Sequence, residues 1–334
     1  MKNSGSVPLI FLIGVFILGN SVINLPFAKY GGNALFGLII AVIISFPLFI
    51  LLSKARDNLK SDSVVGKVFT VFFSIYCLFS GLICMRNFIT FSDKVILPEI
   101  SSFFPVILYL FLVYILSISG KNVIIKTAFV SGLVILFVML FLFIISVDNM
   151  KFKSLIPSNT LSLKGIVYEG LSYFCLSFAP SVILIGFLSK DKEKVYVKGY
   201  LFGIALLLLT FLQSVAIMGY SLTSALIHPY ASSISIITLG NSYSRMEGFS
   251  YFIYFAASLI KTTLCVYVAK DSFCAVIPKV NKYFLPAVLS IFGIVSIFVS
   301  AFKNIDFIKV APFILLPLII ILPYFLVSKK LKGQ

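Results

Sequence analysis

The chain contains one histidine, His228, and no tryptophan among its 334 residues. A single histidine leaves few options for a general base, and no Ser/His/Asp set, phosphate-binding loop or pair of acids within the apolar segments is visible. The five cysteines lie within or next to apolar runs and form no CxxC pair, which argues against a disulfide framework or a metal centre. The sequence therefore predicts a protein that is not an enzyme and that needs no cofactor.

Charged residues are also scarce, at 11%, whereas 60% of the residues are hydrophobic and the mean hydropathy is +1.12. A soluble domain of this size could not hide so much apolar surface, but a bilayer is itself an apolar solvent. The apolar runs do not alternate with polar residues, which favours helices over a closed barrel. We therefore expect an all-α integral membrane protein in which residues 1–334 form one transmembrane domain.

The net charge of +16 is compatible with a nucleic-acid binder, but its distribution is not. Lysine and arginine occur in short clusters between apolar runs, as they do in the loops of membrane proteins. We therefore expect the bilayer, and no nucleic acid, as a partner.

The hydropathy pattern predicts ten membrane spans. The first run lacks a small-x-small cleavage site and continues towards a second span, which indicates a retained helix rather than a signal peptide. The predicted spans are 6–29, 33–53, 66–92, 103–119, 123–147, 169–188, 199–220, 246–272, 284–301 and 309–328.

The basic residues are distributed unequally about these spans. Seventeen lie on the side that carries both termini and eight on the other, while Arg86 and Lys261 lie inside spans, which accounts for all 27. By the positive-inside rule, both termini are expected to be cytoplasmic.

Ten spans divide into two units of five, about 6–147 and about 169–328. A unit with an odd number of spans is inserted in the opposite orientation the second time, which is the inverted-repeat arrangement of many secondary transporters. In such proteins the first helix of each repeat is broken at the binding site. The first and sixth spans are therefore expected to contain helix-breaking residues.

Both spans contain them. The first span includes Gly19-Asn20-Ser21 and continues to Pro26; the alternative is a small-residue face for close helix packing. The sixth span includes Ser177-Phe178-Ala179-Pro180-Ser181; the alternative is a simple proline kink. The two breaks occupy equivalent positions of the two halves, which favours a ligand site between them.

The run Gly19-Asn20-Ser21-Val22-Ile23-Asn24-Leu25-Pro26 resembles the G-x-G-hydrophobic-x-x-L-P element in the first span of the amino acid–polyamine–organocation superfamily. The resemblance implies the ten-helix, LeuT-like inverted-repeat fold with broken helices 1 and 6. Ser21 stands where the superfamily has its second glycine.

A second resemblance involves His228-Pro229, Ser244-Arg245-Met246-Glu247-Gly248-Phe249 and the span around Lys261-Thr262-Thr263. These segments resemble the spore germination permeases, the B subunits of GerA-type nutrient germinant receptors. Ser244 stands where the family often has glutamate, and Pro180-Ser181 replaces a small-residue-plus-glutamate element. The resemblance implies partner A and C subunits and a location in the spore inner membrane or cytoplasmic membrane.

Two basic residues are predicted to lie inside the membrane, where a charge is costly unless it is paired or hydrated. Arg86 is interpreted as a ligand or gating residue, or alternatively as a structural arginine bonded to carbonyls of neighbouring helices. Lys261 is interpreted as a fixed cation or proton carrier, or alternatively as a lysine that reaches the interface. Lys261 belongs to a stripe of mostly small and polar residues at helical spacing that also contains Ser250, Tyr254, Ala257, Ser258 and Cys265.

The superfamily resemblance implies a pocket between helices one, three, six and eight. Its candidate residues are Gly19, Asn20, Ser21, Tyr76, Ser80, Ala179 and Tyr267, and Pro180 is a candidate gating residue. Arg245 and Glu247 are predicted to order a loop, and His228 is predicted to be an ordinary loop residue.

The favoured function is that of the membrane subunit of a germinant receptor that binds a small nutrient, such as an amino acid, at mid-membrane. One alternative is an amino acid or proton-coupled transporter of the same fold. Another is a scaffold subunit whose pocket has lost its ligand.

Overall fold

The computed structural model describes residues 5–21, 31–54, 64–93, 103–157, 161–187, 193–226, 228–237 and 246–298. Within these ranges the chain is helical and contains no β-strand. The α-helices are α1 (Ser6–Ser21), α2 (Ala34–Lys54), α3 (Val64–Phe91), α4 (Phe103–Ser119), α5 (Lys121–Ser146), α6 (Leu163–Tyr173), α7 (Ile183–Phe187), α8 (Glu193–Ala225), α9 (Pro229–Ser235), α10 (Glu247–Val276) and α11 (Asn281–Phe298).

The helices follow the predicted spans. Five described helical segments are long and apolar enough to cross a membrane: Gly66–Phe91, Lys121–Asn149, Lys194–Ala225, Glu247–Val276 and Pro278–Ile297. Shorter apolar helices cover Ser6–Gly19, Ala34–Pro47 and Phe103–Ser119. An all-helical membrane architecture is therefore confirmed. The predicted tenth span, 309–328, lies outside the described residues, so the ten-helix inverted repeat stays a prediction.

Helix α10 lies at the centre of the bundle and is enclosed along most of its length, whereas α5 leaves most of its surface exposed. Helix α10 packs against α1, α3, α4, α5 and α11. Its contact with α3 is close because Gly81 has no side chain: a Cβ there would lie 3.1 Å from Cys265 Cβ. Thr262 Oγ1 donates a long hydrogen bond of 3.5 Å to the Gly81 carbonyl across this seam. Small residues thus let α10 approach its neighbours, as is usual between membrane helices.

A similar seam joins α1 to α8. Ideal Cβ atoms at Gly199 and Gly203 would lie 2.7 and 2.9 Å from the Cβ atoms of Ile13 and Ile17. The isoleucine side chains of α1 therefore fill the space that the two glycines leave on α8. Helix α1 also packs against α10, so it lies between α8 and α10.

Two glycines permit sharp changes of direction. Gly120, with φ of 87°, is the single residue between α4 and α5. Gly219, with φ of 75°, interrupts α8 six residues before its end. A residue with a side chain is strained in this left-handed region, so glycine is the residue that each bend favours.

Candidate functional site

The last described turn of α1 crosses the middle of α10. A Cβ atom on Gly19 would lie 2.8 Å from Lys261 Cδ, 3.0 Å from Lys261 Cβ and 3.0 Å from the Ala257 carbonyl oxygen. The structure therefore brings together two residues that the sequence singled out for separate reasons. Gly19 is the residue type that allows this approach, because any side chain would meet the stem of Lys261.

Lys261 is completely buried at this crossing. Its ammonium nitrogen lies 5.1 Å from the centre of the Phe16 ring, one turn before Gly19 on α1, which is within the range of a cation–π interaction. The thiols of Cys84 on α3 and Cys265 on α10 lie close enough to interact with the ammonium electrostatically. The interpretation of Lys261 as a lysine that reaches the membrane interface is wrong, because its side chain is enclosed by α1, α3 and α10.

Parts of the two segments that were predicted to break meet beside this crossing, but Gly19, Asn20 and Ser21 are helical and not unwound. Ser21, in the last described turn of α1, and Ser177 in the sixth span are both buried, and their hydroxyl oxygens lie 2.5 Å apart. The Ser21 hydroxyl also lies 3.1 Å from the Ile17 carbonyl, to which it donates. Residues 22–30, which contain the rest of the predicted break in the first span, lie outside the described residues.

The sixth span is irregular where Pro180 predicts it. A π-helical segment, Phe174–Phe178, follows α6, and a 3₁₀ turn, Ala179–Val182, leads into α7. Pro180 has no N–H and its ring would collide with the carbonyl four residues earlier in a regular α-helix. The Ala179 N–H accordingly donates to the Phe174 carbonyl, five residues back.

This irregularity is not an unwound segment. The residues that flank the π-helical and 3₁₀ stretches, including Phe178 and Ala179, all keep right-handed helical dihedral angles. The Ser181 hydroxyl donates to the Phe178 carbonyl at 2.5 Å, which satisfies one of the acceptors that the change of register frees. Bulges of this type are frequent at functional sites. Ala179 is buried in the turn, which packs against α1 and α2.

Helix α3 contributes Tyr76 and Ser80, which are both buried. Within the described part of the chain, the Tyr76 hydroxyl has no hydrogen-bond partner. It lies near the thiols of Cys175 in the sixth span and Cys265 on α10, and Ser80 lies beside Cys265 as well. The first, third, sixth and eighth predicted spans therefore converge around one buried polar region.

Tyr267 does not belong to this region. It lies nearly two turns beyond Lys261, is partly exposed, and its ring packs edge-on against Phe187 at 5.7 Å. The Lys121 ammonium lies 5.0 Å from the centre of the same Phe187 ring. Tyr267 thus contacts the end of α7, away from Gly19, because six residues along a helix turn a side chain well away from its starting direction.

The remaining candidates are placed only in part. The Asn20 side chain and Arg245 lie outside the part of the chain that the structure describes. The role of Asn20 in the pocket and the pair of Arg245 with Glu247 therefore stay predictions. Glu247 begins α10 and accepts a hydrogen bond of 3.2 Å from the Tyr251 hydroxyl.

Arg86 is bound to a backbone carbonyl of another helix. Its Nη1 donates to the carbonyl oxygen of Ser296 in α11, and Asp93, two turns further along the chain, attracts its charge. This geometry fits the structural interpretation of Arg86.

His228 is a loop residue, as predicted, but it is buried rather than solvated. It precedes α9, and its ring packs edge-on against Phe91 at the end of α3 at 4.9 Å. The Tyr254 hydroxyl accepts a hydrogen bond of 3.1 Å from the Ala231 N–H. Helix α9 is thereby attached to both α3 and α10.

Glu169 was not among the predicted site residues. The predicted sixth span starts at residue 169, whereas α6 starts at Leu163, so Glu169 lies inside the helix and is completely buried. A Cβ on Gly37 of α2 would lie 2.6 Å from Glu169 Cβ. The sequence signal for a buried glutamate here was an acidic residue placed directly before an apolar run.

This arrangement offers hydroxyls, thiols and one ammonium inside the membrane. Among the described residues, no three His, Cys, Asp or Glu side chains come together as metal ligands. A family model described as spore germination protein matches residues 6–308 of the chain. No curated protein matches it.

Proposed function

The chain belongs to the spore germination protein family, and from that premise we propose that it is the integral-membrane B subunit of a nutrient germinant receptor. In this proposal it binds a small nutrient, such as an amino acid, and performs no catalysis. Its partners are the A and C subunits of the receptor, its location is the spore inner membrane, and both termini are cytoplasmic.

The observation that carries the proposal is the convergence at Gly19 and Lys261. The hydroxyls of Ser21 and Ser177 lie beside this crossing, and the buried ammonium lies near the Phe16 ring and the thiols of Cys84 and Cys265. A buried ammonium is expensive inside a membrane and marks a functional site by default. Hydroxyl groups can bind either end of a zwitterion, and the Lys261 ammonium would favour the carboxylate end. A nutrient of amino acid size and polarity suits this set of groups.

Lys261 also offers a reason why the protein would sense rather than pump. In sodium-coupled relatives of the LeuT-like fold, the eighth helix contributes to an ion site. We propose that the Lys261 ammonium takes the place of that ion. A charge that is covalently attached cannot be exchanged across the membrane, so binding would shift a conformational equilibrium without an ion cycle.

The close contact of α1 with α10 would be the element that responds. A ligand that binds near Ser21 and Ser177 must either insert between the first and sixth spans or replace their hydrogen bond. Either event would alter how α1 lies on α10, and the change would pass to the A and C subunits.

The test is germination of spores that carry Lys261→Met in place of the wild-type chain. Methionine keeps the length of the side chain and removes the charge. We expect the response to one nutrient of a panel of single amino acids and sugars to be lost, or to require much higher nutrient concentrations, at unchanged protein level in the membrane. Lys282→Met, at an exposed position of α11, is the matched control.

The alternatives give different results. A scaffold subunit predicts an unchanged nutrient response whenever the protein level is normal. A transporter predicts that the purified protein in vesicles accumulates a labelled nutrient, and that the accumulation depends on a proton or sodium gradient.

A further inference from the structure

The connection between α5 and α6 exposes large apolar side chains. Phe152 and Ile156 are 62% and 71% exposed, and Leu161 and Leu163 are 52% and 83% exposed. Short 3₁₀ turns at Val147–Asn149 and Phe152–Leu155 shape the first part of this connection. Four such side chains within about one dozen residues form an apolar surface that water alone would not favour.

Hydrogen bonds hold the connection against the bundle. The exposure of these side chains is therefore a feature of an ordered segment. The Lys151 N–H donates to the Ala216 carbonyl at 2.8 Å, and the Tyr220 hydroxyl donates to the Leu155 carbonyl at 3.1 Å. Further along, the Ser162 N–H donates to Asn33 Oδ1 at 3.0 Å. These bonds fix the backbone to α8 and to the 3₁₀ turn Gly31–Asn33 that precedes α2.

Lysines flank the exposed apolar residues. Lys151, Lys153 and Lys164 are all exposed, and Asp148 is the one acidic residue in the sequence from 147 to 164. Apolar side chains beside lysines, at the point where one membrane helix ends and the next begins, match the composition of segments that lie in the membrane interface.

Exposed apolar side chains also continue from Leu161 along one side of α6. Leu163, Val167 and Leu171 follow one another at four-residue spacing, and all three are exposed. A segment at the boundary between headgroups and acyl chains requires an apolar surface that extends onto the adjoining helix. A binding site for a protein partner does not require it.

We propose that residues 147–157 and 161–164 lie in the membrane interface and bind the headgroups of anionic phospholipids through Lys151, Lys153 and Lys164. Phe152, Ile156 and Leu161 insert among the upper parts of the acyl chains, and the lysines remain at the level of the phosphates. An anionic surface attracts each such lysine, and salt screens the attraction. This binding does not depend on the nutrient-sensing role.

The absence of tryptophan makes a local test possible. Phe152→Trp gives the full-length protein a single tryptophan in the segment, and Phe137→Trp, at a 71% exposed position inside α5, gives a control in the middle of the bilayer. Both variants are reconstituted into phosphatidylcholine vesicles with and without phosphatidylglycerol. Emission maxima are recorded, together with quenching by lipids brominated close to the headgroup or deep in the chain.

We expect Phe152→Trp to be quenched mainly by the shallow bromines, and phosphatidylglycerol to shift its emission to shorter wavelength. High salt and the triple change Lys151→Gln, Lys153→Gln and Lys164→Gln should abolish that shift. The triple change Lys194→Gln, Lys198→Gln and Lys279→Gln, which removes the same charge at exposed positions on the opposite membrane face, should leave it intact. Each triple change is also combined with Phe137→Trp, and quenching of that tryptophan by deep bromines shows that the lysine variants are folded and inserted.

Three results would overturn the proposal. Quenching of Phe152→Trp by aqueous iodide rather than by lipid would place the segment in water. If phosphatidylglycerol does not change the emission, the segment does not bind anionic headgroups. Emission that is already blue-shifted in detergent, and that no lipid quenches, would mean that protein covers the surface.

Discussion

Gly19 on α1 lies directly against the side-chain stem of Lys261 on α10, and a methyl group at Gly19 would lie 2.8 Å from Lys261 Cδ. Both residues are buried inside the bundle. The glycine of the first span and the buried lysine of the eighth predicted span therefore contact each other directly.

Gly19→Ala is expected to destabilise the protein by about 1–3 kcal/mol, the usual range for added bulk in a packed interior. The Ala257 carbonyl is backbone and cannot move aside, so α1 must shift. Thermal unfolding of the purified protein in detergent measures the loss, and the nutrient response of spores shows whether the shift of α1 also alters sensing.

Gly248→Ala is the matched control for this substitution. Gly248 also lies in a helix, but nothing approaches the position that its Cβ would take. Alanine there should be neutral or stabilising by up to about 1 kcal/mol, because alanine favours the helix more than glycine does. Equal destabilisation by both substitutions would contradict the steric explanation.

The hydrogen bond between Ser21 and Ser177 should show as a coupling between the first and sixth spans. In a double-mutant cycle of Ser21→Ala and Ser177→Ala, we expect the two substitutions together to cost less than the sum of their separate costs, by about 0.5–1.5 kcal/mol. Unfolding of the four proteins in detergent gives the value. Additive costs would mean that the 2.5 Å contact contributes nothing. Ser119→Ala, which removes an exposed hydroxyl with a similar bond to its own helix, should cost little.

Arg86→Met should reduce stability without changing which nutrient is recognised. The substitution leaves the Ser296 carbonyl of α11 without its charged donor, and losses of this kind inside a protein cost about 2–4 kcal/mol. Arg86→Lys should recover part of the loss, because an ammonium can still reach one carbonyl.

The measurement for Arg86 has two parts, denaturation of the purified protein and the nutrient specificity of spores. A variant of normal stability that responds to a different set of nutrients would show that Arg86 contacts the ligand, and the structural interpretation would then be wrong.

Pro180→Ala should restore regular hydrogen bonding in the sixth span. Without the ring, residues 174–182 can form α-helical bonds, and the π-helical segment loses its cause. We expect slower amide hydrogen exchange across these residues and a change in nutrient response, since Ser177 would rotate away from Ser21. Unaltered exchange would show that the neighbouring helices, rather than the proline, impose the irregularity.

Long apolar runs made the helices predictable, because helix length in a membrane is set by bilayer thickness. The starts of helices were harder to predict. Glu169 was overlooked because α6 begins six residues before the predicted span, and the polar residues around Ser162 gave no hydropathy signal. A serine that caps a helix by accepting from Gly165 N, as Ser162 does, was the usable sign.

The site was predictable only where one residue carries an unusual property. A charge in a membrane span and a glycine in a broken motif identified Lys261 and Gly19. Tyr267 was assigned by position in a family pattern, and a rotation of the helix is enough to direct it elsewhere. The bond from Arg86 to Ser296 joins residues 210 positions apart, and no local pattern specifies such a partner.

The burial of Lys261 also constrains how the chain reaches its membrane. A helix with an ammonium near its middle is poorly inserted alone, because the charge would face hydrocarbon. Helices α1 and α3, which enclose that ammonium, are synthesised well before α10. Helices α1 and α3 are therefore already inserted in the bilayer when α10 is synthesised. The order of the helices along the chain thus also sets the order in which they assemble.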